Sequence, residues 1–104
     1  MERNMLTTKE RSYLRSRANT IKPLVYLGKD GVTESFLNEV EVALFHNELM
    51  KVSVLKASPL DAKTAANEIA ERTSSEIVQV LGSKITLFKE TDKKGFEHLL
   101  DKMQ

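Results

Sequence analysis

Leu24-Val25-Tyr26-Leu27-Gly28-Lys29-Asp30-Gly31-Val32-Thr33 is the stretch from which the fold can be read. Lys22-Pro23 stands before it, and a proline pushes its predecessor towards extended geometry, so any helix upstream ends there. The unbroken apolar run Leu24 to Leu27 then predicts a strand covered on both faces. Gly-x-x-Gly predicts a tight turn, and Thr33 is placed to cap a helix. Strand, glycine turn and helix in that order let a phosphate backbone approach the chain, because glycines remove side chains and helix-start amides favour anions.

Upstream, Thr7-Thr8-Lys9-Glu10 has the form of a capping box and predicts a helix to about Asn19. Leu14 and Ala18 share one face, extended by Ile21, while Lys9, Arg11, Arg15 and Arg17 occupy the rest. The apolar stripe is thin, which suits a basic surface helix better than a membrane binder. Downstream, a helix from Thr33 to about Asn47 carries Phe36, Leu37, Val40, Ala43 and Leu44 on one stripe, with Glu34, Asn38, Glu41 and Glu48 elsewhere. Val42 and Phe45 widen that stripe beyond the needs of one sheet, so one of them is expected to be exposed.

Leu49 to Leu55 alternates as a half-buried strand with Lys51 and Ser53 on one side. Ser58-Pro59-Leu60-Asp61 reads as a helix start with Ser58 as N-cap, and Ala62, Ala65, Ala66, Ile69 and Ala70 form the packing face. Thr73-Ser74-Ser75 ends that helix. Ile77 to Leu81 and Lys84 to Lys89 are alternating strands joined by Gly82-Ser83, which fits a type II′ hairpin. Thr91 to Gly95 reads as a polar loop, and Phe96 to Leu100 as a short helix docking two leucines. The order α-β-α-β-α-β-β predicts an α/β fold with a four-stranded mixed sheet and packed helices. The crossovers imply parallel partners for the first three strands, and the hairpin an antiparallel fourth.

The chain has 104 residues, 40% apolar and 30% charged, which suits one soluble domain. We expect the domain at residues 1–90 and a tail at 91–104. Without cysteine there is no disulfide, thiolate metal site or cysteine nucleophile. No apolar run reaches membrane-span length, and Met1-Glu2-Arg3-Asn4 lacks a leader's apolar core, so a cytoplasmic location is expected. Net charge is +1, but residues 1–31 hold seven Lys or Arg against three Asp or Glu, and the rest nine against twelve. That asymmetry fits either a polyanion-binding patch or a solvated helix face.

Catalytic constellations are lacking. His46 and His98 stand far apart, Glu39 with Glu41 and Asp61 with Glu68 do not converge, and no nucleotide-binding glycine motif is present. No enzyme activity, cofactor, metal or small-molecule substrate is expected. The remaining candidate is Gly28-Lys29-Asp30-Gly31, with Lys29 offering an ammonium to a phosphate and Asp30 opposing it. KH domains use a loop of this form to clamp single strands, although a bare Gly-x-x-Gly is usually only a turn. Lys9, Arg11, Arg15 and Lys22 supply the basic surface expected beside it. Aromatic residues are few, which favours recognition of backbone and shape over base stacking.

Leu6-Thr7-x-Lys9-Glu10-Arg11-x-Tyr13-Leu14-Arg15, followed by Ile21-Lys22-Pro23 and the stretch through Thr33, resembles the YhbY family. These are bacterial single-domain members of the CRM (chloroplast RNA splicing and ribosome maturation) group. The resemblance continues through Glu48-Leu49-Met50-Lys51-Val52-Ser53-Val54 and from Val78-Gln79-Val80-Leu81-Gly82-Ser83 to Lys89, covering about residues 5 to 90. It implies an RNA-binding domain similar in fold to the C-terminal domain of a bacterial translation initiation factor. It further implies association with precursors of the large ribosomal subunit and ribosomal RNA as partner; separately from the resemblance, a monomer is expected. The family's loop falls on Gly28, Lys29, Asp30 and Gly31, with the basic first helix as its companion. The competing reading is a protein-interaction module docking a ribosomal or regulatory partner through an apolar helix face.

Overall fold

The computed structural model describes residues 6–103; the opening Met1-Glu2-Arg3-Asn4 lies outside them. Three helices, four strands and a final 3-10 turn follow the expected order: α1 (Thr8–Ala18), β1 (Val25–Leu27), α2 (Glu34–Asn47), β2 (Leu49–Val54), α3 (Ala62–Thr73), β3 (Glu76–Leu81), β4 (Lys84–Phe88) and η1 (Leu99–Lys102). The strands form one mixed sheet in the order β1-β2-β4-β3. β1 pairs with β2 in parallel, and β4 is antiparallel to both its neighbours. The α/β class, the four-stranded mixed sheet and the packed helices are therefore as the sequence predicts.

One pairing differs from the crossover expectation. β3 runs in the same direction as β2 but does not pair with it, because the hairpin folds β4 between them. Gly82 has φ 60, the positive value that the first position of a II′ turn requires. A bulge between Ile77 and Gln79 turns Val78 into the cluster beneath α1.

Two apolar clusters occupy the two sheet faces. Val25, Leu27, Met50, Val52, Ile85 and Leu87 meet the stripe of α2 and the alanine face of α3. All five stripe residues of α2 are buried, as their spacing requires. On the other face, Leu14 and Ala18 of α1 pack on Leu49, Val78 and Phe88, joined by Leu6 and Leu99. β2 is thus covered on both faces over much of its length, and is not the half-buried strand that its alternation suggests.

Local chemistry sets the helix starts. Thr7 and Glu10 complete the capping box of α1, and Thr33 accepts the Phe36 N–H at the start of α2. At α3 the N-cap is Asp61, three residues later than the Ser58 expected. Ser58 Oγ instead closes a turn on Leu60, accepting its N–H and donating to its carbonyl. The Asp61 carboxylate accepts the Thr64 N–H at 2.8 Å, and this bond holds its pKa below the ordinary carboxylate value.

Four further expectations are corrected. β1 is a three-residue edge strand, with Leu24 and Tyr26 exposed, and is not covered on both faces. Val42 and Phe45 are both exposed, where only one was expected to be. Thr91, read as part of a polar loop, is buried, and the last helical turn begins at Leu99 rather than Phe96. No helix among the described residues is long and apolar enough to cross a membrane.

Candidate nucleic-acid interface

The Gly28–Gly31 turn sits where β1 ends and α2 is about to begin. The Gly31 N–H donates to the Gly28 carbonyl at 3.1 Å, closing a four-residue turn, and the Thr33 N–H donates to the Gly31 carbonyl. Of the two glycines, Gly31 uses the left-handed region, at φ 72, and Gly28 does not. A Cβ at Gly31 would stand 3.3 Å from Pro59 Cγ, whereas one at Gly28 would meet nothing closer than Leu55 Cδ1 at 4.0 Å. The turn therefore rests on the β2–α3 connection, with Lys29 and Asp30 exposed at its tip.

The basic residues of α1 are disposed differently. Arg11 is half-buried, and its guanidinium donates to the Ile77 carbonyl on β3; the Leu6 N–H donates to Glu76 nearby. Glu76 and Ile77 begin β3, while the glycine turn follows the end of β1. Arg11 and Lys29 thus lie diagonally across the sheet, and Arg11 joins helix to strand. Lys9 is exposed and Arg15 half-buried on the same helix. Arg17 reaches Tyr13, bonding its hydroxyl at 3.3 Å with the guanidinium 5.9 Å from the ring centre. Lys22 is exposed in the connection to β1, where Leu24 N–H bonds the Lys51 carbonyl.

Charge is unevenly divided between the sheet faces. The α1 side carries Lys9, Arg15 and Arg17, and the strands beneath add Lys51 and Lys84, which the pairing register places on that same face. On the other side, α2 exposes Glu34, Glu39 and Glu41, and α3 exposes Glu71 together with one cation, Lys63. Arg72 on that side is held by Glu34 at 3.0 Å and by Glu68 at 3.8 Å. The alternation of Lys84-Ile85-Thr86-Leu87-Phe88 is the signal that would have added Lys84 to the basic face. Among the described residues no group of three His, Asp or Glu side chains is placed to hold a metal ion.

A model of the "CRS1 / YhbY (CRM) domain" family matches residues 6–89. The "Probable RNA-binding protein YqeI" of Bacillus subtilis is 37% identical over 87 residues, spanning 84% of this chain and 91% of its own length. A protein of Haemophilus influenzae named "RNA-binding protein" is 35% identical over 88 residues, 85% of this chain and 89% of its own. The solution structure of the hypothetical protein SAV1595 from Staphylococcus aureus superposes with a TM-score of 0.73 at 40% identity, covering 90% of this chain and 99% of that one. With its glycine turn, basic helix and four-stranded sheet all inside the matched span, the chain belongs to the CRS1/YhbY (CRM) domain family.

Proposed function

We propose that this protein is a cytoplasmic, non-enzymatic RNA-binding protein that associates with precursors of the large ribosomal subunit and assists their assembly. RNA backbone is held at the Gly28–Gly31 turn, with Lys29 as its charge, and along the basic face that includes Lys9, Arg15 and Lys22. The observation that carries this reading is the uneven charge of the two sheet faces, with acids in excess on the α2 side, Lys63 and Arg72 notwithstanding, and cations in excess on the α1 side, where Glu10 and Glu76 are the acids. Such a division favours one orientation towards a polyanion. The names of the relatives point the same way.

The test is sedimentation of the tagged protein through a ribosome gradient, followed by crosslink mapping on the bound RNA. Co-migration with large-subunit precursors and crosslinks to their RNA are expected. Protein found only at the top of the gradient would overturn the ribosomal assignment.

Exposure of both Val42 and Phe45 on α2 favours one competing reading, a protein-docking module. Association that survives nuclease and is lost in Phe45→Ala would select it.

A further inference from the structure

The pairing register aligns four residues in a single row across the sheet. Tyr26 lies opposite Ser53, Ser53 opposite Lys84, and Lys84 opposite Leu81. All four are on the α1 side, because Val25, Leu27, Val52 and Ile85 point into the opposite cluster. The apolar residues of α1 cover the other end of that face, over Leu49, Val78 and Phe88, and three members of the row, Tyr26, Lys84 and Leu81, are exposed. Tyr26 is 57% exposed and Leu81 68%, while the small Ser53 between Tyr26 and Lys84 is buried beneath its neighbours.

We infer that this row is a base-stacking platform, receiving a nucleobase of a single-stranded RNA whose backbone is held at the Gly28–Gly31 turn. The inference rests on the RNA-binding reading above and adds to it a base contact that the turn alone does not provide. Tyr26 precedes Gly28 by two residues, about 7 Å along an extended chain, so backbone held at the turn delivers a base to the ring. Lys84 stands two strands from Tyr26, about 10 Å, and Lys51 is one row away. Neither this row nor the Lys51, Thr86 and Gln79 row beside it contains a carboxylate, so nothing there repels a phosphate. An exposed aromatic ring on an edge strand, with lysines on the same sheet face, is an arrangement that stacks bases without reading their edges.

The experiment is fluorescence anisotropy with labelled oligoadenylate and with a duplex of equal length, using wild type, Tyr26→Ala, Tyr26→Phe, Lys84→Ala and Lys29→Ala. Because the Tyr26 ring is exposed, its variants should keep the wild-type melting temperature. Tyr26→Ala should bind oligoadenylate about tenfold more weakly with its salt dependence unchanged, and Tyr26→Phe should restore binding. Lys84→Ala should instead reduce the salt slope by about 0.7, the value of one single-strand phosphate contact. Ultraviolet crosslinking should leave a nucleotide adduct on Tyr26.

If Lys29→Ala weakens binding and Tyr26→Ala does not, the platform is wrong and the RNA reading stands. Binding of the duplex alone, indifferent to Tyr26, would likewise overturn the platform and leave the RNA reading in place. If wild type binds neither probe, both readings fall. Loss of self-association in Tyr26→Ala, with RNA binding intact, would make the row a contact between copies of this chain and overturn the platform.

Discussion

Glu48 and His98, fifty residues apart in sequence, meet with Oε2 and Nδ1 separated by 2.6 Å. Glu48 is fully buried, and its carboxylate also accepts the N–H groups of Thr91 and Leu99, each at 2.9 Å. One side chain at the end of α2 thus fixes both ends of the segment that follows β4. That places Leu99 in the cluster under α1, beside Leu14 and Phe88.

This contact predicts a pH-dependent stability. The hydrogen bond to Glu48 raises the His98 pKa above 6.5, opposed by desolvation and assisted by the charges of Glu48, Glu90 and Asp101. A raised folded-state pKa contributes stability that is complete below the unfolded value and is lost as pH rises through the folded one. Thermal melts of wild type and His98→Gln across that range should show a decline with pH in wild type that is much smaller in the variant. Equal pH dependence in the two would refute the linkage.

Glu48→Gln should cost more than a surface change because the amide can serve fewer of the three donors. A buried amide left without an acceptor costs about 1–3 kcal/mol. Denaturant unfolding should show a loss of that order, and hydrogen exchange should quicken at Thr91 and Leu99 before it does in β2. If exchange rose evenly over the domain, the carboxylate would be supporting the whole fold and not specifically the tail.

Much of the fold was legible because it is periodic or capped locally. The α2 stripe repeats Phe36, Leu37, Val40, Ala43 and Leu44 at helical spacing, and at α1 Thr7 with Glu10 completes the cap within one turn. What stayed hidden depends on contacts between segments far apart in sequence. An apolar run such as Leu24 to Leu27 cannot reveal that its strand lies at an edge, and so Tyr26 was not expected in solvent. Glu48 looks like any polar residue at a helix end, since the partners that explain it are 43 to 51 residues away. At Ser58-Pro59 a strong local signal lost to a turn that closes on Leu60. In the candidate site, the glycine turn was legible as a motif, but the engagement of Arg11 with Ile77 needed the tertiary structure.

The two glycines of the turn should separate folding from binding. At Gly31, φ 72 and the approach to Pro59 make Gly31→Ala unfavourable in the folded state, by about 1–2 kcal/mol for the left-handed backbone alone. Gly28→Ala meets nothing closer than 4.0 Å and should leave stability near wild type. If RNA backbone approaches this turn closely, Gly28→Ala should still weaken RNA binding. Wild-type affinity in Gly28→Ala would mean that Gly28 leaves room for nothing, and would limit the turn's role to Lys29 and the helix start.

The arginines of α1 should behave unlike one another despite their common charge. Arg11 donates to the Ile77 carbonyl, so Arg11→Ala removes a bond between α1 and β3 and should lower stability by about 1.5–3 kcal/mol. Arg15 and Lys29 should affect RNA affinity with little change in unfolding. Each phosphate contact removed should reduce the salt slope by about 0.7 on single-stranded RNA. Titration of Arg15→Ala, Lys29→Ala and Arg11→Lys against RNA at several salt concentrations, beside denaturant curves, tests this division. Arg15→Ala and Lys29→Ala should flatten the salt dependence at constant stability, whereas Arg11→Lys, which keeps the charge but loses the guanidinium fork, should lose stability and keep the slope. An Arg11→Lys protein as stable as wild type would show that the bond to Ile77 holds nothing together.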